Sequence, residues 1–358
     1  MEQTLQLNLP GRLGDPDRDI LNDPRLDPRI KAALEVAPPF GGDDALVPAA
    51  PSYEEALAFC AAFEEASAQA HPIMRSAMPD FPNVSCETVE VQGVDDNPIQ
   101  LYIHRPNDVQ GLRPCVVHTH GGGMVLMTAQ DPMFVRWRNY LASMGLIVIG
   151  VEFRNGGGVL GNHPFPAGLN DCVTATQWVI EQQAALGISH LIISGESGGG
   201  NLSIATTLKA HQEGWSNQIA GVFAMCPYIS GAYATPPAQL LSLQENDGYM
   251  LDCQTMAVMA KVYDPNGQFG DDALAWPLAA AVEQLRGLPP HIVSVNELDP
   301  LRDEGLQFAR KLMQAGVSVV ARTVHGTPHA GDLSFPDLTP DLYRDTADAV
   351  VGFVNRLE

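Results

Sequence analysis

The residues Gly195-Glu196-Ser197-Gly198-Gly199 set a serine hydroxyl among small neighbours. Glycines on both sides permit a strained turn that lifts the hydroxyl clear of a sheet, where it can act as a nucleophile. The same residues also read as a glycine-rich helix start that binds phosphate or nothing. Their position, after the apolar Leu191-Ile192-Ile193-Ser194 and before an apolar helical stretch, favours the nucleophile. His120-Gly121-Gly122-Gly123 likewise follows an apolar run. Consecutive glycines let neighbouring N–H groups turn outward together and hold a developing oxyanion. A phosphate-binding turn fits less well, because no Lys-Ser or Lys-Thr follows as in a P-loop. A nucleophilic serine needs a base, and the base needs a carboxylate to orient it. Asp299 stands just past the apolar run 292–295, and His325 and His329 just past 317–324.

These positions require a particular scaffold. Short apolar runs at 115–117, 146–152, 191–194, 219–225, 292–295 and 317–324 show little alternation, and helical patterns lie near them, including 131–143, 167–186 and 199–212. That rhythm predicts an α/β fold with a mostly parallel sheet buried on both faces by helices. Residues 84–91 and 99–104 alternate as antiparallel strands do, with a turn at Asp95-Asp96-Asn97. The carboxyl ends of parallel strands open on one edge of the sheet, so Ser197, Asp299 and a late histidine can meet there. Two stretches stand outside the rhythm. Residues 1–83 form an N-terminal extension, with a helix predicted over 53–69 capped by Ser52 and loop-like sequence at 38–51; residues 230–263 read as an insertion. The catalytic domain is expected over 84–358, with residues up to about 78 and the insertion at 230–263 forming a cap.

Composition narrows the function. Of 358 residues, 20 are Lys or Arg and 42 are Asp or Glu, a formal net charge of −22. That charge repels phosphate backbones and anionic lipid, so neither nucleic acid nor membrane is an expected partner. The longest apolar run is well short of the ~20 residues of a membrane span, and the opening Met1-Glu2-Gln3-Thr4 carries no signal-peptide pattern. A cytoplasmic location is expected. The six cysteines form no Cys-x-x-Cys pair. They read as reduced thiols rather than disulfides or zinc ligands. His118 and His120 have no third ligand at useful spacing, so hydrogen bonding rather than metal binding is expected of them.

On these motifs the chain resembles an α/β-hydrolase of the hormone-sensitive-lipase-like bacterial carboxylesterases, and within them the brefeldin A esterase type. The likeness runs from about residue 84 to the C-terminus and includes the order Ser197, Asp299, His329. His163-Pro164-Phe165-Pro166-Ala167-Gly168 with Asp171, and Asp299-Pro300-Leu301 with Asp303, also match. The resemblance implies Ser197 as nucleophile, Asp299 as acid, a late histidine as base, and oxyanion donors from the N–H groups of Gly122, Gly123 and Gly198. It implies no cofactor and a small-molecule ester as partner; a homodimer is compatible with it, although no interface signal is visible. Two departures stand out: Glu196 and Gly198 replace the commoner Asp and Ala, and Phe153-Arg154-Asn155-Gly156-Gly157-Gly158 replaces the usual Tyr-Arg-Leu-Ala-Pro-Glu.

His329 suits the base better than His325, since the pattern places the base several residues past the last strand. Asp303, one turn beyond Asp299, suits the N-terminus of a helix. Glu196 either tunes the site or binds backbone donors beside the turn. Met74, Met78, Met124 and Met127 are candidates to line an acyl pocket. The expected activity is hydrolysis of short-to-medium carboxylic esters through an acyl-enzyme. Lactonase or amidase activity would use the same machinery, whereas a silent receptor of this fold would typically lack the base.

Overall fold

The computed structural model describes residues 9–36, 50–108 and 111–357. Most of the loop expected at 38–51 lies outside them. Eight strands form one sheet: β1 (Val84–Gln92), β2 (Pro98–Pro106), β3 (Arg113–Thr119), β4 (Ile147–Glu152), β5 (Ile188–Glu196), β6 (Gly221–Met225), β7 (His291–Asn296) and β8 (Val319–Val324). Their order is β1-β2-β4-β3-β5-β6-β7-β8. β2 runs antiparallel to both neighbours, and every pairing from β4 to β8 is parallel. The expected mostly parallel sheet is present.

Period-two geometry sends adjacent residues to opposite faces. Val117, Ile149 and Ile193 accordingly join one buried cluster with Leu169, Cys172 and Leu202, from helices Ala167–Glu181 and Gly198–Gln212. Their neighbours Val116, Val148 and Ile192 join another with Trp137, Leu141, Val350 and Phe353, from helices Pro132–Ser143 and Pro340–Val354. With both faces covered, β6 and β7 are buried at every residue, which is why their sequences do not alternate. Each such apolar side chain contributes about 1.5–3 kcal/mol on burial. The helix expected over 167–186 divides at Gln182 into Ala167–Glu181 and Gln183–Leu186. Left-handed Gly187 then ends it, because glycine adopts positive φ without a Cβ clash.

The extension makes two separate attachments. Ile20, Leu26, Ile30 and Leu34 pack on Tyr249 and on Leu298, next to Asp299. Arg25 pairs with Asp23 and Glu245, and Glu245 also pairs with Arg302. Further on, helix Tyr53–Ala68 starts at a capping box in which Ser52 Oγ accepts the Glu55 N–H and the Glu55 carboxylate accepts the Ser52 N–H. Its Ala56 and Cys60 share a core with Met256, Met259 and Val262 of helix Cys253–Tyr263. The buried Glu304, its carboxyl pushed up to about 8 by burial, accepts from Ile229 N–H and Tyr233 O–H at the start of the stretch 230–263.

Candidate active site

Ser197 links β5 to helix Gly198–Gln212 at φ +56° and ψ −119°. A serine in that region is strained, and the fold holds it there. Its N–H donates to Met225 O (2.9 Å) at the end of β6, and its C=O accepts from Tyr228 N (3.1 Å). The side chain is half-buried.

β7 and β8 lie side by side with Asn296 opposite Val324, so the loops after them leave the sheet together. Glu297 N–H donates to Val324 O and Leu298 N–H to Thr327 O, both at 3.0 Å. Asn296 Nδ2 donates to Thr327 Oγ1 (2.7 Å) and Asp332 Oδ1 (2.9 Å). This lacing brings His329 Nδ1 to 2.8 Å from Asp299 Oδ2, while Asp299 Oδ1 accepts from Leu301 N–H. Asp299 is fully buried. Burial pushes the His329 imidazole down, but Asp299 first and Cys226 beside it together outweigh burial and hold the ring well above the ordinary histidine value.

His325 faces away, exposed and paired with Glu297. Asp303 lies in the first turn of helix Arg302–Gln314, where it accepts from Ser242 N–H and pairs with Arg302. His329 lies against Cys226, the residue after the Met225 whose carbonyl accepts the Ser197 N–H. The Cys226 sulfur lies within 4.8 Å of the Asp299 and His329 donor atoms. Among the described residues Ser197 Oγ makes no hydrogen bond, to His329 or otherwise. Apo sites often hold such contacts open until substrate arrives.

The loop of Gly121, Gly122 and Gly123 meets the serine turn from the β3 side. A Cβ on Gly198 would lie 2.5 Å from Met124 N and 2.7 Å from Gly123 N, so the glycine lets these backbone nitrogens approach this closely. Gly122 turns at φ +102°, and a Cβ there would lie 2.2 Å from Leu126 O. No protein acceptor among the described residues takes the N–H of Gly122, Gly123 or Gly198. Glu196 serves backbone and side chain together: Oε1 accepts the Gly121 N–H (2.8 Å), and Oε2 lies 3.0 Å from His118 Nε2. His120 stacks on Phe153 and bonds Gly121 O. Each histidine thus makes one buried hydrogen bond, while His118 Nδ1 and His120 Nε2 have no hydrogen-bond partner among the described residues.

Three contributions were not readable from the sequence, although two of the segments that make them stood out there. Asn155 Nδ2 donates to Met127 O, while Gly156 and Gly157 N–H groups donate to Met124 O and Val125 O. The departure at 153–158 thus builds a backbone staple for the loop after Gly123. Asp171 holds that staple from behind through the Arg154 guanidinium and main chain. Met259 is the third: its sulfur would lie 3.1 Å from a Cβ on Gly123. Its placement beside Met256 and Val262 on an apolar helix was the available signal. Met124 is buried and Met127 half-buried beside this loop, whereas Met74 and Met78 lie half-buried at and beyond helix His71–Ser76. A cavity of about 1090 Å³ lies elsewhere, lined by Tyr233, Asp247, Lys261 and Trp276 among others. It includes none of Ser197, Asp299 or His329.

Comparison with known proteins decides the family. A family described as alpha/beta hydrolase fold matches residues 116–332. The chain belongs to that family. This hydrolase is 34% identical over 238 residues to carboxylesterase NlhH of Mycobacterium tuberculosis, covering 65% of this chain and 70% of that one. It is 30% identical over 274 residues to an arylesterase of Saccharolobus solfataricus, 75% of this chain and 84% of the other. The solved structure of brefeldin A esterase, described as a bacterial homologue of human hormone sensitive lipase, superposes with a TM-score of 0.92 at 41% identity. That match covers 98% of this chain and 99% of the other. The hydrolase therefore stands among hormone-sensitive-lipase-like bacterial carboxylesterases and is a carboxylic ester hydrolase. No helix among its described residues is long and apolar enough to cross a membrane.

Proposed function

We propose that this hydrolase cleaves short-to-medium-chain carboxylic esters by a Ser197–His329–Asp299 mechanism. Ser197 Oγ attacks the ester carbonyl as His329 takes its proton; Asp299 holds the imidazole and balances its charge. The N–H groups of Gly122, Gly123 and Gly198 stabilise the oxyanion. Collapse expels the alcohol with the proton from His329, leaving an acyl-Ser197. Water, activated by the same imidazole, attacks that ester and releases the acid.

The observation that carries this reading is the 2.8 Å His329–Asp299 bond on the sheet edge where Ser197 sits at positive φ. Helices Tyr53–Ala68 and Cys253–Tyr263, with the methionines beside the oxyanion loop, belong in this reading to a cap over the acyl side, made from residues 1–83 and 230–263.

Ser197→Ala tests the mechanism. Turnover of 4-nitrophenyl butyrate should fall at least about a thousandfold with the fold retained. Unchanged turnover removes Ser197 from the chemistry. An ester series from acetate to palmitate should peak at short or medium chains, and a palmitate optimum would overturn the assigned substrate class.

A further inference from the structure

The loop after Gly123 is held in an unfavourable conformation. Met124 and Met127 both have positive φ, at +60° and +71°. Neither is a glycine, so surrounding contacts must hold them. Leu126 N–H closes back on Gly122 O at 2.9 Å, so the position of Met127 bears directly on the glycine donors.

Met127 is held at both polar ends. Its C=O accepts from Asn155, and its N–H donates to Glu64 Oε1 at 2.6 Å. Glu64 comes from helix Tyr53–Ala68 in the N-terminal extension and is 8% exposed. Its other oxygen, Oε2, accepts from Val159 N–H, also at 2.6 Å. One carboxylate therefore spans the oxyanion loop and the end of the glycine staple. Gly158 makes room for it, since a Cβ there would lie 2.3 Å from Oε2. Hydrogen bonds from N–H groups to a buried carboxylate are among the stronger ones, and they have a fixed direction.

We infer that Glu64 is a positioning residue for the oxyanion donors: by holding Met127 and Val159 together it sets the geometry of Gly122 and Gly123, so the N-terminal extension completes the catalytic site. Glu64 touches none of the reacting atoms in this scheme. The inference rests on the proposed use of Gly122 and Gly123.

Glu64→Gln and Glu64→Ala test it, with Glu65→Gln on the exposed neighbouring position as control. A glutamine keeps one acceptor but sets an amide N–H₂ against the other backbone N–H. Small displacements of catalytic groups cost up to about a hundredfold. In Glu64→Gln, kcat per titrated active site should fall about tenfold to a hundredfold with KM within about threefold. Amide exchange of peptides covering 121–128 should accelerate, with the rest of the sheet unchanged. Glu64→Ala should show a larger loss, and Glu65→Gln neither effect. Unchanged kcat per titrated site, or a fall in the amount of folded protein alone, overturns the inference and leaves Glu64 merely structural. Exchange is also measured in Ser197→Ala, which separates the clamp from the mechanism. An active Ser197→Ala would defeat the proposed chemistry, while protection at 121–128 that ignores Glu64 would defeat the clamp.

Discussion

In the proposed mechanism, the acid–base side of the site and the oxyanion side are built differently. Asp299 and His329 follow two neighbouring parallel strands, and their loops are tied to one another within a few residues of the sheet. The segment 20–34 adds apolar backing at Leu298, and Asp27 N–H donates to Gly326 O. Gly121 to Met127 also follow a strand, but their supports arrive from far along the chain: Glu64, Asn155 and Glu196. One half is positioned by strand register, the other by side-chain acceptors and donors meeting a strained backbone. Errors on the first side remove a reacting group or its orientation. Errors on the second misplace donors by fractions of an ångström and should give graded losses.

The largest expected effect that sharpens this contrast is on the acid–base side. Asp299→Asn should lower kcat by about 10³–10⁴, because the imidazole loses both its tautomer control and its counter-charge. The pH profile carries a second signature. In the proposed mechanism His329 works as a base only when neutral, and Asp299, with Cys226 beside it, holds its pKa above the ordinary value. The acid limb of kcat/KM should therefore lie above the range of a free histidine in the native enzyme and move to lower pH in Asp299→Asn. Asp303→Asn and His325→Ala should leave kcat within about threefold; a large loss in either would move the acid or the base to that residue.

A smaller effect is expected on the oxyanion side. Glu196→Gln retains the side chain's shape but loses the charge that faces Gly121 N–H and His118. It should cost about tenfold in kcat with KM little changed, near the lower end of the range expected for Glu64→Gln. A loss as large as that of Asp299→Asn would mean Glu196 acts in the chemistry itself, and the contrast would fail.

The difference also explains what the sequence made visible. Strand ends follow from unalternating apolar runs, and Ser197, Asp299 and His329 each stand just past one. Local texture was enough to find the sheet, the serine turn and both late loops. Glu64 was invisible for the opposite reason. It sits in an amphipathic helix as one acid among Glu54, Glu55 and Glu65, and its partners lie at Met127 and Val159. Asn155 and the three glycines after it were visible only as a departure from a pattern; their use as a backbone staple needed the tertiary contact with Met124 and Val125. The division at Gln182 was hidden because the residues around it continue a helical texture, and only Gly187 marks a stop. The packing of 20–34 on Leu298 and Tyr249 likewise depends on contacts more than two hundred residues apart.

The most direct test of the central claim is mapping a fluorophosphonate probe by mass spectrometry on the native enzyme and on Ser197→Ala. The account predicts one adduct, on the peptide containing Ser197, formed faster as His329 loses its proton and absent in the variant. An adduct on another residue, or undiminished labelling of Ser197→Ala, would contradict it.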